Sequence, residues 1–240
     1  MEETEKVNEE RLLLFCGDIH GSLKKIIWKL SIQLGLSNVS LVIAGDFGAG
    51  FGSPKALDVL YDSVKDRLEK YNINIYAIRG NHDDPSYFDG NHDYPRLKLL
   101  EDHKIYEIEG KRIYTIGGAH SIDQDWRIEA NQLEENYGSS KRYWWPNEHI
   151  VEKMEGLPSN VDIIISHESP LSFKPVTVRE IDNNYSLWEK IVKSRKYLDH
   201  VLKEVRTDWW IHGHYHTSTS GNYGSVKYRG LDIEEIFEIR

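Results

Sequence analysis

Arg11-Leu12-Leu13-Leu14-Phe15-Cys16-Gly17-Asp18-Ile19-His20-Gly21 decides how this chain reads. An apolar, strand-like run hands over at a glycine to a carboxylate and an imidazole two residues apart. In extended backbone that spacing puts both side chains on the same side. Gly17 and Gly21 permit a tight turn and a close backbone approach. The junction recurs: Ser40 to Ala44 runs into Gly45-Asp46, and Ile73 to Ile78 into Gly80-Asn81-His82-Asp83. Val161 to Ser166 ends at His167, and Trp209 to Ile211 runs into His212-Gly213-His214-Tyr215-His216. Strands that end this way can gather oxygen and nitrogen donors at one edge of a sheet.

The segments between these junctions predict the layers around them. Leu23 to Leu34 reads as a helix with Ile26, Ile27, Leu30 and Leu34 on one face, and Gly35 can end it. Ser53 and Pro54 suit the start of a second helix, whose apolar face is Leu57, Leu60, Val64 and Leu68. Lys104 to Ile108 and Arg112 to Gly117 flank Glu109-Gly110-Lys111 as a hairpin. Asn147 to Met154 suggests a short helix, Leu187 to Val205 a long one, and Val226–Tyr228 and Ile233–Ile239 closing antiparallel strands. Short strand-to-helix connections favour a layered α/β core with right-handed crossovers. A sandwich of two mixed β-sheets flanked by helices accounts for the many strands better than a simple dinucleotide-binding domain.

Composition narrows the field. A chain of 240 residues fits one large domain. We read residues 1–10, with five glutamates, as an acidic disordered tail, and 11–240 as one domain carrying a polar, aromatic-rich excursion at about 121–149. The single cysteine, Cys16, lies in an apolar run and reads as a buried small residue; one cysteine forms no internal disulfide, which points to a reducing cytoplasm. A net charge of −9 disfavours an extended nucleic-acid surface while leaving room for a nucleotide or a local basic pocket. No run reaches membrane-spanning length, so no membrane partner is expected.

Asp18, His20, Asp46, Asn81, His167, His214 and His216 are the candidate metal ligands. Mixed carboxylate, amide and imidazole donors suit two divalent ions of the Mn, Fe, Co or Zn kind, with Mn2+ our first choice, better than an all-oxygen Mg2+ site. The absence of a cysteine cluster argues against a closed thiolate zinc site. His212 reads as a strand-end donor rather than a ligand.

In order and type, Asp18-Ile19-His20, Gly45-Asp46, Gly80-Asn81-His82-Asp83, His167 and Gly213-His214-Tyr215-His216 resemble the calcineurin-like metallophosphoesterase superfamily over nearly the whole chain. The resemblance implies one metal on Asp18, His20, Asp46 and His216, a second on Asp46, Asn81, His167 and His214, and Asp46 as the bridge. Ile116-Gly117-Gly118-Ala119, Ser121-Ile122-Asp123, Trp126-Arg127 and Trp144-Trp145-Pro146 are similar to a bacterial or phage branch. The protein phosphatases continue the second motif as Asp-Arg-Gly; here it reads Asp46-Phe47-Gly48, without that phosphate-clamping arginine.

The expected reaction is hydrolysis of a phosphomonoester or phosphodiester in a small phosphorylated molecule or nucleotide. Two cations about 3.5–4 Å apart share a hydroxide that attacks phosphorus. His82 is the candidate to protonate the leaving group or hold a phosphate oxygen, with Asp83 orienting it through the other ring nitrogen. Arg127, Arg179 and Arg195 are candidates to contact substrate, and Arg142 a weaker one. Arg79 is placed to support the metal loop. Trp126, Trp144 and Trp145 could stack on a base or form a small cap core. A nuclease acting on single strands and a non-catalytic metal-bound regulatory or binding module are the alternatives.

Overall fold

The computed structural model describes residues 11–174 and 185–239. The first sheet begins with β1 (Leu12–Cys16), β2 (Val39–Ile43) and β3 (Ile73–Ala77), parallel and in sequence order. α1 (Leu23–Trp28) and α2 (Ala56–Lys70) are the crossovers. β4 (Asp93–Tyr94) and β5 (Leu97–Leu99) follow, β5 parallel to β3 and β4 antiparallel at the edge. The second sheet holds the hairpin β6 (Ile105–Ile108) and β7 (Lys111–Ile116), then β8 (Ile163–Ser166) and β9 (Trp209–His212). α3 (Gln124–Asn136) and α4 (Tyr185–Glu204) lie between these strands in sequence. β10 (Thr219–Tyr223) and β11 (Val226–Gly230) complete the second sheet, and β12 (Ile236–Glu238) returns to pair antiparallel with β1.

The sheet orders are β12-β1-β2-β3-β5-β4 and β10-β11-β9-β8-β7-β6. Each has four parallel strands inside and an antiparallel strand at both edges. Strand alternation builds three apolar layers. Phe15, Val42, Ile113, Ile163, Ile165 and Ile211 meet between the sheets. Leu41, Ile43 and Ile75 face Ile26, Leu30, Leu57 and Leu68 of the first helical layer. Ile164 and Trp210 face Leu198, Val201 and Leu202 of α4. This is the two-sheet sandwich the sequence predicts. Among the described residues no helix is long and apolar enough to cross a membrane.

Several local expectations need correcting. The first helix is regular only to Trp28; Lys29–Gln33 continues as a wider π turn in which Leu34 N–H reaches back to Lys29 O. Ser53 does not cap α2: its hydroxyl accepts from Lys55 N–H within the turn ahead of the helix. Residues 147–154 form no helix. The carbonyls of Asn147, Glu148 and His149, which a helix would turn to later amides, accept instead from the Arg79 guanidinium. β11 is parallel to β9, because the polar β10 occupies the edge and a hairpin at Gly224 brings the chain back between them. The excursion contains α3, and the tail at 1–10 lies outside the described residues.

Candidate metal centre

Parallel strands present all their carboxyl ends on one side, where loops can carry polar groups without breaking the sheet. Asp18 and His20 follow β1, Asp46 follows β2, Asn81 and His82 follow β3, His167 follows β8, and His214 and His216 follow β9. These loops turn abruptly. His20, Asp46, His214 and His216 all have positive φ, between 44° and 70°, a region that costs a non-glycine residue about 1 kcal/mol or more. At two of the junctions the need for glycine is plain. A Cβ on Gly80 would lie 2.9 Å from Asp46 Cα, and one on Gly213 2.8 Å from Ala44 O. Any side chain at either position would push the loops apart.

The seven candidate ligands fall into two groups that share Asp46. On one side, donor atoms of Asp18, His20, Asp46 and His216 lie within 4.8 Å of one another. His216 Nε2 is 3.0 Å from Asp18 Oδ2 and 3.2 Å from His20 Nε2. On the other side, His167 Nε2 is 3.3 Å from Asp46 Oδ1 and 2.9 Å from Asn81 Oδ1. The His214 ring centroid stands 4.9 Å from that of His167. His167 Nδ1 faces Ala44 O at 2.8 Å, so its N–H is committed there and Nε2 looks into the cluster.

The electrostatics fit a pair of divalent cations. Asp18 and Asp46 are buried, and among the described residues their ion-pair partners are histidines. Burial opposes charge on His167, but the Asp46 and Asp18 carboxylates outweigh it and lift its pKa to about 10. Burial likewise opposes ionisation of Asp46, yet His167, His82 and His20 hold its carboxyl well below the usual range. The imidazolium of His167 thus supplies positive charge that bound cations would supply to the same carboxylates. Burial, with His167 nearby, pushes His214 down to about 3, leaving it a neutral imidazole suited to ligation. The donors and charges form a candidate site for two metal ions. His212 lies behind, buried, with Nδ1 near Gly213 O.

Asp83 does not orient His82. Its carboxylate accepts from four backbone amides: Phe47 at 3.1 Å, Gly48 at 2.6 Å, Ala49 at 2.8 Å and Gly80 at 2.7 Å. Burial and the Asp46 carboxylate push its pKa up to about 6 against the pull of those amides. Asp83 ties the Asp46 loop to the Asn81 loop. Asp83→Ala would leave buried N–H groups unpaired and is expected to cost roughly 3–5 kcal/mol of unfolding free energy. Urea unfolding measures it, and a loss below about 1 kcal/mol would remove Asp83 from this role.

The neighbour of His82 is Arg127, whose Nη2 sits 2.5 Å from His82 Nε2. Arg127 Nη1 donates to Asn81 O, and Nε lies 2.9 Å from Asp123 Oδ1. A cavity of about 460 Å³ opens beside Asp46, Asn81, His214 and His216, walled by Arg127, Arg195, Trp188 and Ile191. Arg195 is buried, donates to Ser169 O and lies over the Tyr215 ring. Arg179 lies outside the described residues. Arg142 is a half-exposed partner of Glu135, away from the cavity wall. Trp145 is buried against Phe51 and Trp126 is mostly exposed, so neither lines the cavity. Two groups with no single-position signal stand close by. Ser121 and Glu148 are buried behind Asn81, and Glu168 takes the Tyr215 hydroxyl.

Calcineurin-like phosphoesterase is the family that matches, over residues 12–218. No curated protein sequence matches the chain. Among solved structures, it is similar to phosphopantetheinyl hydrolase (PptH) from Mycobacterium tuberculosis, with 14% identity, a TM-score of 0.47, and 95% of this chain and 91% of that chain covered. It is also similar to GAP50, the anchor in the inner membrane complex of Plasmodium, with 12% identity, a TM-score of 0.42, and coverage of 92% and 71%.

Proposed function

The chain belongs to the calcineurin-like phosphoesterases, metal-dependent hydrolases of phosphoester bonds, and on that premise we propose which residues do the work and on what. The observation that carries the reading is the sharing of Asp46 between two donor groups at the mouth of one cavity. Asp18, His20, Asp46 and His216 would hold one cation, and Asp46, Asn81, His167 and His214 the other, with Mn2+ the best match to this donor mixture. When bound, two such cations neutralise phosphoryl oxygens and acidify a water.

The chain's own groups do the rest. Arg127, tethered at Asn81 O and beside Asp123, keeps a fixed positive charge at the cavity wall for a phosphoryl oxygen. Arg195 offers a second charge across the cavity, above Tyr215. Trp188 and Ile191 give the organic part of the substrate an apolar wall. A cavity of this size takes a small phosphorylated molecule or a nucleotide. Asp46-Phe47-Gly48 in place of Asp-Arg-Gly supports assignment to the bacterial or phage branch rather than to the protein phosphatases. Residues 11–240 act as one catalytic domain.

The test is an assay of metal-stripped and Mn2+-loaded protein against phosphomonoesters, cyclic nucleotides, linear diesters and single-stranded nucleic acid. Turnover of small substrates only after loading is the expected result. Preference for single strands would favour the nuclease alternative. Binding of two cations with no turnover of any substrate would make the chain a binding module.

A further inference from the structure

A side-chain amide can turn either end toward a neighbour, and only its hydrogen-bond partners decide which. Asn81 Nδ2 donates to Ser121 Oγ at 3.0 Å. The Ser121 hydroxyl donates to Glu148 Oε2 at 2.7 Å, and the Ser121 backbone N–H donates to Glu148 Oε1 at 2.8 Å. All three residues are buried. Burial pushes the Glu148 pKa up to about 7, and above that pH the group is a carboxylate, which only accepts. The serine proton is therefore committed to Glu148, and its oxygen can only receive from Asn81 Nδ2. That leaves Asn81 Oδ1 facing His167 Nε2, 2.9 Å away, on the Asp46 side of the cluster.

We propose that Ser121 and Glu148 form a polarity relay that turns the oxygen of Asn81 toward the second cation, making Glu148 a positioning residue for the centre. The proposal rests on the metal assignment above. The relay is anchored at its far end, because Arg79 holds the Glu148 carbonyl at 2.8 Å and Ala119 N–H donates to the same oxygen at 3.2 Å. The excursion thereby reaches the metal loop through a chain of three side chains.

Glu148→Gln has nearly the same shape but the opposite polarity at one end. Its oxygen must stay on Ser121 N–H, which places its NH2 against Ser121 Oγ. The serine then donates toward Asn81, and the amide turns its NH2 to His167 and Asp46. Titration calorimetry with Mn2+ is expected to show two sites in the wild type. In Glu148→Gln one site, the one that includes Asn81, should lose about 10–100-fold in affinity while the other is kept. Ser121→Ala should weaken the same site and Ser121→Thr, which retains the hydroxyl, should restore it; this pair decides the matter should Glu148→Gln fail to fold. Two cations held by Glu148→Gln as tightly as by wild type would overturn the relay alone. A wild type that binds fewer than two would overturn the centre, and the relay with it.

Discussion

Asp46→Asn is expected to slow hydrolysis by about 10³-fold or more and to abolish one cation site. Asp46 is the one candidate ligand placed in both donor groups. Its Oδ1 accepts from His82 N–H at 2.8 Å and lies 3.3 Å from His167 Nε2, while Oδ2 lies 3.8 Å from His20 Nδ1. In the asparagine variant the oxygen stays where the His82 amide requires it. The new NH2 then faces His20, so the group of Asp18, His20 and His216 gains a donor where it needs a shared acceptor. Stability without metal should fall as well, because the surrounding histidines favour the Asp46 carboxylate and its loss leaves the buried His167 imidazolium short of a partner. In chelator at neutral pH it should melt below the wild type. Mn2+ at about 100 times its dissociation constant stabilises a one-site protein by about 2.7 kcal/mol, or roughly 5–10 °C at this size. The wild type should show at least that rise, and Asp46→Asn a smaller one. Thermal melts with Mn2+ and with chelator, beside the rate assay, check both. Wild-type turnover in the variant would end the bridging assignment.

The candidate ligand loops stood out because most of them combine a short apolar strand with a glycine and a nearby carboxylate, amide or imidazole, a local pattern. The partners of those ligands were not, because they come from distant, locally unremarkable positions. Glu148 lies in an irregular segment whose shape is imposed by Arg79 from the end of β3. Asp83 beside His82 suggested a histidine–carboxylate pair, yet four amides from two loops claimed the carboxylate, since a buried anion goes to the densest set of donors. β10, with Thr219, Ser220, Gly221 and Asn222, has no apolar alternation, and only its pairing with β11 makes it a strand. Arg127 was singled out for substrate; that it also meets His82 depends on α3 folding back over the β3 loop, which no spacing records.

His82→Ala is expected to lower kcat by about 10²-fold with cation content unchanged, because His82 lines the cavity and its Nε2 is occupied by Arg127 Nη2. Burial, then the Arg127 and His20 charges, depress its pKa to about 4 against the pull of Asp46. An arginine cannot accept a hydrogen bond, so Arg127 Nη2 donates to His82 Nε2 and the neutral ring carries its proton on Nδ1. The sign of the pH dependence follows. The neutral form is present above about 4 and is lost as pH falls through that value, so the ratio of wild-type to His82→Ala rates should be constant from pH 6 to pH 8. A histidine acting as an imidazolium acid with an ordinary pKa near 6.5 would instead lose its advantage as pH rises past that point. The depressed pKa therefore favours holding a phosphoryl oxygen over protonating the leaving group. Arg127→Ala supplies the control: without that neighbouring charge the pKa of His82 rises, and the acid limb of the rate profile should move to higher pH. A rate ratio that declines above pH 6.5, or turnover in His82→Ala within a few-fold of wild type, would sink this assignment.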